Sequence, residues 1–361
     1  MRVRRAACVA LLGVGLGAGV QAGAVDAAPP GRALEFGGSL RTLLVAADAE
    51  SPASGGSNGQ LANRLRLRLA GSASPALSFK LEHDTELALG SQGEARLTQR
   101  LFRAYAQFSG EQLTATLGRQ RIPMGVGRLW STLDMLNPVN PQQIERDEFV
   151  GVDALLIERG AGALSRASLV FAPDPAHRHD RWAGQWRRHL HESDLTLTLG
   201  RYWQDRVAAI DVATQWGDAG LRGEFTFTAP QVGSPYRKLL VGADVAFAST
   251  LTLGGEIYLS DQRAVDRAAQ RRSNPQLVRV QPSGRAYAGI TASRDLAPPL
   301  KASMVLLANL GDRSGMAYPA LAWSLGDDSV LSGGAQFFFG RGTSEYGRAP
   351  NLVFLRYQRF F

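Results

Sequence analysis

Cysteine, lysine and long apolar runs are scarce in this chain. Cys8 is the single cysteine of the 361 residues, and only Lys80, Lys238 and Lys301 are lysines among the 40 basic residues. A lone cysteine excludes a disulfide scaffold. No segment after residue 24 approaches the ~20 consecutive apolar residues that a transmembrane helix needs. These absences leave two broad classes, a soluble globular protein and a β-barrel.

The N-terminal segment has the three parts of a secretory signal peptide. A basic start that ends at Arg5 precedes an apolar run over residues 6–20 and an A-x-A exit that ends at Ala24. The run contains the only cysteine and is too short to anchor the chain across a bilayer. We expect cleavage after Ala24, with Ala28 as the alternative, and a mature domain of residues 25–361. Loss of three arginines and no acid lowers the formal net charge from +8 to +5.

Two short segments, residues 65–69 and 77–82, alternate strictly between apolar and polar residues. A period of two predicts strands with one apolar and one polar face. The intervening Gly, Ser and Pro residues predict a tight turn, and a hairpin centred on Ser74 places basic residues opposite acidic ones in two of three cross-strand pairs. The expected pairs are Arg68–Lys80, Arg66–Glu82 and Arg64–Asp84.

The same alternation continues to the end of the chain and predicts an all-β fold of about 18 strands. Predicted connections alternate between short turns, such as 110–111 and 248–249, and long polar segments, such as 121–150 and 261–284. Short turns on one rim and long loops on the other are typical of an antiparallel transmembrane β-barrel of the bacterial outer membrane. A soluble β-sandwich or β-helix also explains alternating strands, but it does not explain this asymmetry.

The C-terminal segment, Asn351 to Phe361, ends on an aromatic residue and has Val353, Leu355 and Tyr357 on the same face. It resembles the terminal strand that the barrel-assembly machinery recognises in its clients. We therefore expect three partners, namely the barrel-assembly machinery, outer-membrane lipid with lipopolysaccharide, and a small solute. We expect no nucleic-acid partner.

Basic side chains are concentrated on the polar faces of the first four predicted strands. If the apolar faces contact lipid, the polar faces line a lumen, and Arg41, Arg64, Arg66, Arg68 and Arg103 form a one-sided basic row. Such a row favours anions. In the alternative interpretation, charges on adjacent strands neutralise one another and only keep the wall hydrated.

Two polar side chains, His83 and Arg201, fall on the face that is predicted to contact lipid. Amphipathic side chains at the membrane interface can extend to the headgroups. Either the two residues lie at that interface, or the strand register differs from the prediction at these positions.

One long segment, residues 118–150, has no alternation. Its three prolines, three glycines and eight charged residues make it a poor strand and a poor helix. Strand parity from a periplasmic N-terminus places it outside the cell, and it is long enough to fold back into the lumen, with Trp130 and Met135 packing it to the wall. A solvated surface cap is the alternative. In the lumen it would bring these residues near the constriction: Arg119, Arg121, Arg128, Asp134, Arg146 and Asp147.

The histidines give little support for catalysis or metal binding. His177 and His179 are spaced like metal ligands, but the other pair, His189 and His191, flanks a turn at the opposite end of a predicted strand. A nine-residue strand separates the two pairs by roughly 25–30 Å. We therefore expect no catalytic residue, metal or cofactor.

Arg119-Gln120, Gly125, Asp134 and Asn137-Pro138, with Glu145-Arg146 before Gly151-Val152-Asp153, resemble a motif of specific outer-membrane porins. The similarity is to the alginate-export and related porin-like families of Gram-negative bacteria, and it covers about 35 residues. The resemblance implies a passive channel for an anionic saccharide. The sequence thus predicts a porin-like channel for small anionic or saccharide solutes. The alternatives are a sealed structural or surface-binding barrel and, with less support, a barrel lipase or protease.

Overall fold

The computed structural model contains 18 strands and one helix. The strands coincide with the segments of period-two alternation. The structure describes residues 34–48, 59–138, 140–145, 151–162, 164–174, 180–273 (backbone only for 271–273) and 282–361. The predicted signal peptide, residues 1–24, lies outside this part of the chain. The elements are β1 (Leu34–Ala47), β2 (Gly59–Ser74), β3 (Leu77–Gly90), β4 (Ala95–Ser109), β5 (Leu113–Gln120), β6 (Val152–Gly160), β7 (Ser165–Ala172), β8 (Arg181–Leu190), β9 (Ser193–Tyr202), β10 (Asp205–Trp216), β11 (Ala219–Ala229), β12 (Tyr236–Ala246), β13 (Thr252–Ser260), α1 (Ala264–Ser273), β14 (Ala286–Ala297), β15 (Leu300–Asn309), β16 (Ser314–Ser324), β17 (Ser329–Phe339) and β18 (Leu352–Phe360).

The strands form one closed antiparallel sheet in which each strand pairs with its neighbours in sequence. The first and last strands close the ring, with Ser39 opposite Phe360 and Ala47 opposite Leu352. Phe361 extends this seam, since its N–H donates to the Gly38 carbonyl oxygen at 3.1 Å. The predicted barrel of about 18 antiparallel strands is confirmed. No helix in the described ranges is long and apolar enough to cross a membrane.

The two faces of the wall differ sharply, as strand alternation requires. On β11, Phe225 and Phe227 are 42% and 40% exposed on the outer face, whereas Glu224, Thr226 and Thr228 are buried on the inner face. Leucines dominate the outer face of β2 and β3 in the same way. The outside of the barrel is therefore apolar and exposed, and polar groups are enclosed.

The register of the β2–β3 hairpin differs from the prediction by two residues. The turn is formed by residues 75 and 76 rather than at Ser74, which moves each cross-strand partner by three residues, and a bulge between Ser72 and Ser74 takes one of them back. Sequence alternation does not reveal the bulge, because a bulge adds one unpaired residue. All three cross-strand pairs are therefore between opposite charges. They are Arg68–Glu82, Arg66–Asp84 and Arg64–Glu86.

Connections at the two ends of the barrel have different lengths. At one end, strands join through segments such as 75–76 and 217–218, whereas the other end has the segments 121–151, 261–285 and 340–351. The helix α1 lies in the second of these. That the long segments face the cell exterior remains a prediction.

The inner face of β6 is apolar, contrary to the expectation of a polar lumen throughout. Val152, Ala154 and Leu156 are buried inside, while Asp153 between them is exposed on the outer face. Asp153, the acidic residue of the motif, therefore does not line the lumen. The physical reason is that Met135 and Leu136 of the long β5–β6 connection pack in the same buried cluster as the inner side chains.

Candidate functional site

The connection between β5 and β6 is held inside the barrel by two carboxylates, and we call its described residues 121–138 and 140–145 the inner loop. Glu224 on the inner face of β11 accepts the N–H groups of Val126, Gly127 and Thr132 at 2.6, 2.7 and 2.6 Å. The Thr132 hydroxyl donates to the same carboxylate at 2.9 Å, as does that of Ser131 at 3.1 Å. Such charge-assisted hydrogen bonds are about twice as strong as neutral ones.

Glu256, two strands away on β13, holds the next turn of the inner loop. It accepts the N–H groups of Arg128 and Leu129 at 2.7 and 2.8 Å. It also accepts the Trp130 N–H at 3.3 Å and the Arg222 Nε–H at 2.8 Å. The Arg128 guanidinium lies 3.3 Å from Asp244, so this part of the loop is fixed by both backbone and side-chain contacts.

Gly125 lets the loop approach Glu224 closely. It has a φ of +83°, and a Cβ at this position would come within 2.4 Å of Glu224 Oε1. Positive φ is costly for residues other than glycine. The glycine of the predicted motif is therefore required by the turn that presents the loop's N–H groups to the carboxylate.

Asp134 stabilises the loop from within rather than facing solvent. Its carboxylate accepts the N–H groups of Leu136 and Asn137 at 3.0 and 2.8 Å. The Asn137 side chain in turn accepts the N–H of Ile122 at 2.7 Å. Burial raises the pKa of Asp134 to about 6, while these backbone donors oppose the shift.

The rest of the inner loop follows the wall. Tyr202 of β9 donates to the Met124 sulfur at 2.9 Å, and Trp130 packs on Tyr287 of β14 with ring centroids 5.6 Å apart. Gln336 of β17 donates to the carbonyl oxygen of Gln142 at 2.9 Å. The inner loop thus contacts the wall from β9 around to β17.

Glu145 fastens the end of the inner loop to the strands on either side of the closing seam. It forms ion pairs with Arg41 of β1, with Arg64 of β2 at 3.4 Å and with Arg356 of β18 at 3.7 Å. Arg41 also binds Glu86 at 2.9 Å and is only 3% exposed. Arg41 and Arg64 are therefore anchors of the inner loop.

The inner wall of β2–β4 carries arginines that the inner loop leaves more accessible. Arg66 binds Asp84 through two hydrogen bonds of 2.6 and 2.8 Å, and Arg100 binds the same carboxylate at 3.1 Å. Arg68 binds Glu82 at 2.8 Å. Side-chain exposure is 55% for Arg68 and 36% for Arg100, against 13% for Arg66.

Phe102 lies among these arginines at a bulge of β4. Arg66 and Arg103 stack over its ring at 3.8 and 4.4 Å from the centroid. Arg103 also donates to the Phe102 carbonyl oxygen at 3.0 Å rather than to a carboxylate. A guanidinium over an aromatic face is stabilised without neutralisation of its charge.

The wall of β1–β4 and β18 is therefore ion-paired but still positive. Apart from Glu35 of β1 and Arg96 of β4, which lie on the same inner face and cancel in charge, four carboxylates, Glu82, Asp84, Glu86 and Glu145, face eight cations, a formal excess of four positive charges. The cations are Arg41, Arg64, Arg66, Arg68, Lys80, Arg100, Arg103 and Arg356. We call this surface the arginine wall. Both interpretations of the basic row hold in part. Ion pairs neutralise some of the arginines, and the remaining excess of positive charge can still favour anions.

Not every predicted site residue reaches the lumen. Arg119 alternates with the buried Gln120 and pairs with Asp153 at 2.5 Å on the outer face, so its assignment to the pore is wrong. Arg121 begins the inner loop and is exposed, and its charge acts on Asp134. Arg146, Asp147, His177 and His179 lie outside the described residues.

Sequence reasoning missed three functional contributors. Arg100 was not assigned to the basic row because the bulge at Phe102 interrupts the alternation of β4. Glu224 and Glu256 could not be recognised as anchors, because their hydrogen bonds join residues about 100 positions apart. No local pattern contains that information. Among the described residues, no group of three or more His, Cys, Asp or Glu side chains could hold a metal.

No protein-family model matches the sequence, and no curated protein matches it either. Solved porin structures do match the fold. OccK11 (OpdR) of Pseudomonas aeruginosa has a TM-score of 0.60 at 10% identity, with 91% of this chain and 96% of that chain covered. OccK8 (OprE) of the same species has a TM-score of 0.60 at 9% identity, with 92% and 99% covered.

A triple mutant of the Rhodopseudomonas blastica porin is also similar, with a TM-score of 0.52 at 10% identity and coverage of 91% of this chain and 100% of that chain. At these identities the likeness shows a porin-like barrel fold. The resemblance to alginate-export porins is not confirmed.

Proposed function

We propose that this chain is an outer-membrane channel through which small anionic solutes, including acidic saccharides, pass by diffusion. The observation that carries the proposal is the one-sided interior. The inner loop is fastened to β11 and β13 by Glu224 and Glu256, whereas the arginine wall keeps an excess of positive charge across the lumen. Charged rings and rows at close quarters select ions by sign.

The porin-like fold supports a membrane channel, and the exposed apolar outer face supports an outer-membrane location. The accessible members of the arginine wall, Arg68 and Arg100, are the side chains that a passing anion would meet first. Arg103 stands beside them with its charge unneutralised by a direct hydrogen bond to a carboxylate.

Reversal potentials in planar bilayers under a KCl gradient test the proposal. We expect discrete channels that prefer chloride, and we expect the triple change Arg68→Gln, Arg100→Gln and Arg103→Gln to reduce the chloride-to-potassium permeability ratio severalfold. A preference for potassium in the unmodified protein would contradict the proposal.

A matched control removes the same charge from the outer face. Arg201, Arg206 and Arg237 lie at the rim and are exposed on the outer side of β9, β10 and β12. Their replacement by glutamine should leave the permeability ratio unchanged. If both triple variants shift the ratio equally, the arginine wall is not the selective element.

A sealed barrel is the second candidate, and burial of the inner loop favours it. Leu133 is fully buried and Trp130 is 4% exposed, so part of the lumen is filled. A sealed barrel predicts no discrete conductance until residues 122–144 are removed. The channel predicts conductance in the unmodified protein and an increase when the same segment is deleted.

A further inference from the structure

Five neutral or weakly basic polar side chains interrupt the apolar outer face of β1–β4. They are Thr42, Asn63, His83, Thr85 and Gln99, and we call them the outer polar patch. Strand parity places them outside. Thr42 stands between the exposed Leu40 and Leu44, and Gln99 follows the 65%-exposed Leu97 by two positions.

The patch is continuous across four strands. The Thr42 hydroxyl donates to the Asn63 side-chain oxygen at 2.8 Å. Thr85 is directly opposite Gln99 and diagonal to Asn63, and His83 precedes it by two residues on the same face. Side chains in these relations lie within contact distance of one another.

The patch is inside the apolar band rather than beyond its edge. His83 is six residues from Leu77 at the turn end of β3. At ~3.3 Å per residue and a strand tilt of ~40°, it stands roughly 15 Å up a band about 25 Å tall. Exposed leucines at 81 and 87 flank it on the same strand.

The other outer faces of the described wall have no neutral polar counterpart in mid-strand. The Arg119–Asp153 ion pair at the ends of the short β5 and β6 is six residues from the turn end of β5, but its two members satisfy each other. β9 presents Leu195, Leu197 and Leu199 in succession, and β12 presents Leu239 and Val241. Polar residues on these faces stand at or near strand ends. The neutral polar residues are therefore concentrated on the side of the barrel that is backed by the arginine wall.

Polar groups facing hydrocarbon without partners cost several kcal/mol each. A partner that satisfies them must lie within the membrane. Amide and hydroxyl groups both donate and accept, so the outer polar patch is complementary to itself. It has neither a carboxylate nor a lysine or arginine, so it lacks the fixed charge that an anionic lipid headgroup would need.

We propose that the outer polar patch is the contact surface between copies of this chain in the membrane. The proposal rests on the membrane location in the proposed function but not on conductance or ion selectivity. In lipid, apolar faces gain little from association, and hydrogen bonds between polar groups supply the attraction. Copies therefore associate through β1–β4, and the apolar faces of β9–β14 contact lipid.

Single-cysteine cross-linking in isolated outer membranes tests the surface directly, because the predicted mature chain has no cysteine. With Thr85→Cys we expect a bis-maleimide reagent to give a band of twice the monomer mass. Val241→Cys is the matched control, since Val241 is 54% exposed on the outer face of β12, across the barrel from β3. A doubled band for Val241→Cys equal to that for Thr85→Cys would overturn the proposal.

Native mass spectrometry of the detergent-extracted protein tests the driving force. We expect a multimer for the unmodified chain and loss of the multimer when Asn63, Thr85 and Gln99 are all replaced by leucine. Leucine suits the lipid-facing surface, so heat-modifiable gel mobility should show that the variant still folds. A multimer that persists in the triple variant would overturn the proposal. The proposal would also be overturned if Thr85→Cys gives no cross-linked band and the unmodified protein has the mass of a single chain, with or without retained lipopolysaccharide.

Discussion

At the residue scale, the fixation of the inner loop depends most on Glu224. This carboxylate receives donors from Val126, Gly127 and Thr132, and hydrogen bonds to charged groups contribute about 1.5–3 kcal/mol each. We expect Glu224→Gln to expose the inner loop and to accelerate tryptic cleavage after Arg128 roughly tenfold or more, since 1.4 kcal/mol is a factor of ten. The cleavage rate in detergent is the measurement.

Asp211 offers a matched control for this change. It stands directly opposite Glu224 on β10, and both carboxylates are buried, at 3% and 2% exposure. Like charges directly opposite each other destabilise a sheet, so Asp211→Asn should leave tryptic cleavage unchanged or slow it. Cleavage that accelerates equally in both variants would indicate a general loss of stability rather than release of the loop.

Asp134 makes the stability of the inner loop depend on pH. Burial raises its pKa from 3.8 to about 6, so the folded loop retains the proton more strongly than the unfolded loop. The stabilisation is complete below pH 4 and is lost as the pH rises through 6, by roughly 3 kcal/mol in total. Hydrogen exchange of the loop amides, corrected for intrinsic rates, should therefore be faster at pH 7 than at pH 5.

The variant Asp134→Asn separates this effect from other carboxylates. An asparagine side-chain oxygen can still accept the N–H groups of Leu136 and Asn137, but it does not titrate between pH 4 and 7. We expect a smaller difference in exchange between pH 5 and pH 7 than in the unmodified chain. Asp153→Asn on the outer face should preserve the full difference. An unchanged pH response in Asp134→Asn would exclude Asp134 as its source.

At the element scale, alternation predicts strands and their two faces but not what covers each face. The predicted strand segments 65–69 and 77–82 lie within β2 and β3. The inner face of β6, however, is covered by the inner loop, so its buried side chains are apolar and Asp153 faces outward. A strand that is apolar on both faces has no clear alternation, and the choice of face then depends on tertiary packing.

Turn position and bulges account for the other misplacements among the elements. The turn at residues 75–76 together with an extra residue near Ser72 sets the hairpin register, and an extra residue at Phe102 reverses the faces of β4. The basic row was predicted from the regular parts of these strands. Arg100 lies before the bulge at Phe102 and was therefore not included in the predicted row. Local propensity does not identify a bulge in advance, since it depends on the strand paired across from it.

At the scale of the whole molecule, strand number and closure follow from the sequence because each strand pairs with its neighbours along the chain. The path of the inner loop cannot be predicted from the sequence. Its anchors on β11 and β13 are determined by hydrogen bonds that form across the lumen only in the folded barrel. The outer polar patch belongs to both scales. Its residues are visible in the sequence, but only the closed sheet shows that they are contiguous.

Closure itself depends on close contact at Gly38. Its N–H donates to the Phe361 carbonyl oxygen at 2.9 Å. A Cβ at this position would come within 2.2 Å of the Arg66 carbonyl oxygen and 2.8 Å of the Phe361 ring. Because β1 pairs with both β18 and β2, any shift that relieves these contacts disturbs both sides of the seam.

We therefore expect Gly38→Ala to reduce the fraction of protein that migrates as a compact, heat-modifiable band on unheated gels. Gly255→Ala is the matched control, because a Cβ on that outer-facing strand glycine meets its nearest atom, the Gly289 carbonyl oxygen, only at 3.7 Å. Both changes add one methyl group to a strand, so a difference between them reports the seam alone. Equal folded fractions in the two variants would show that the seam can relax without opening the barrel.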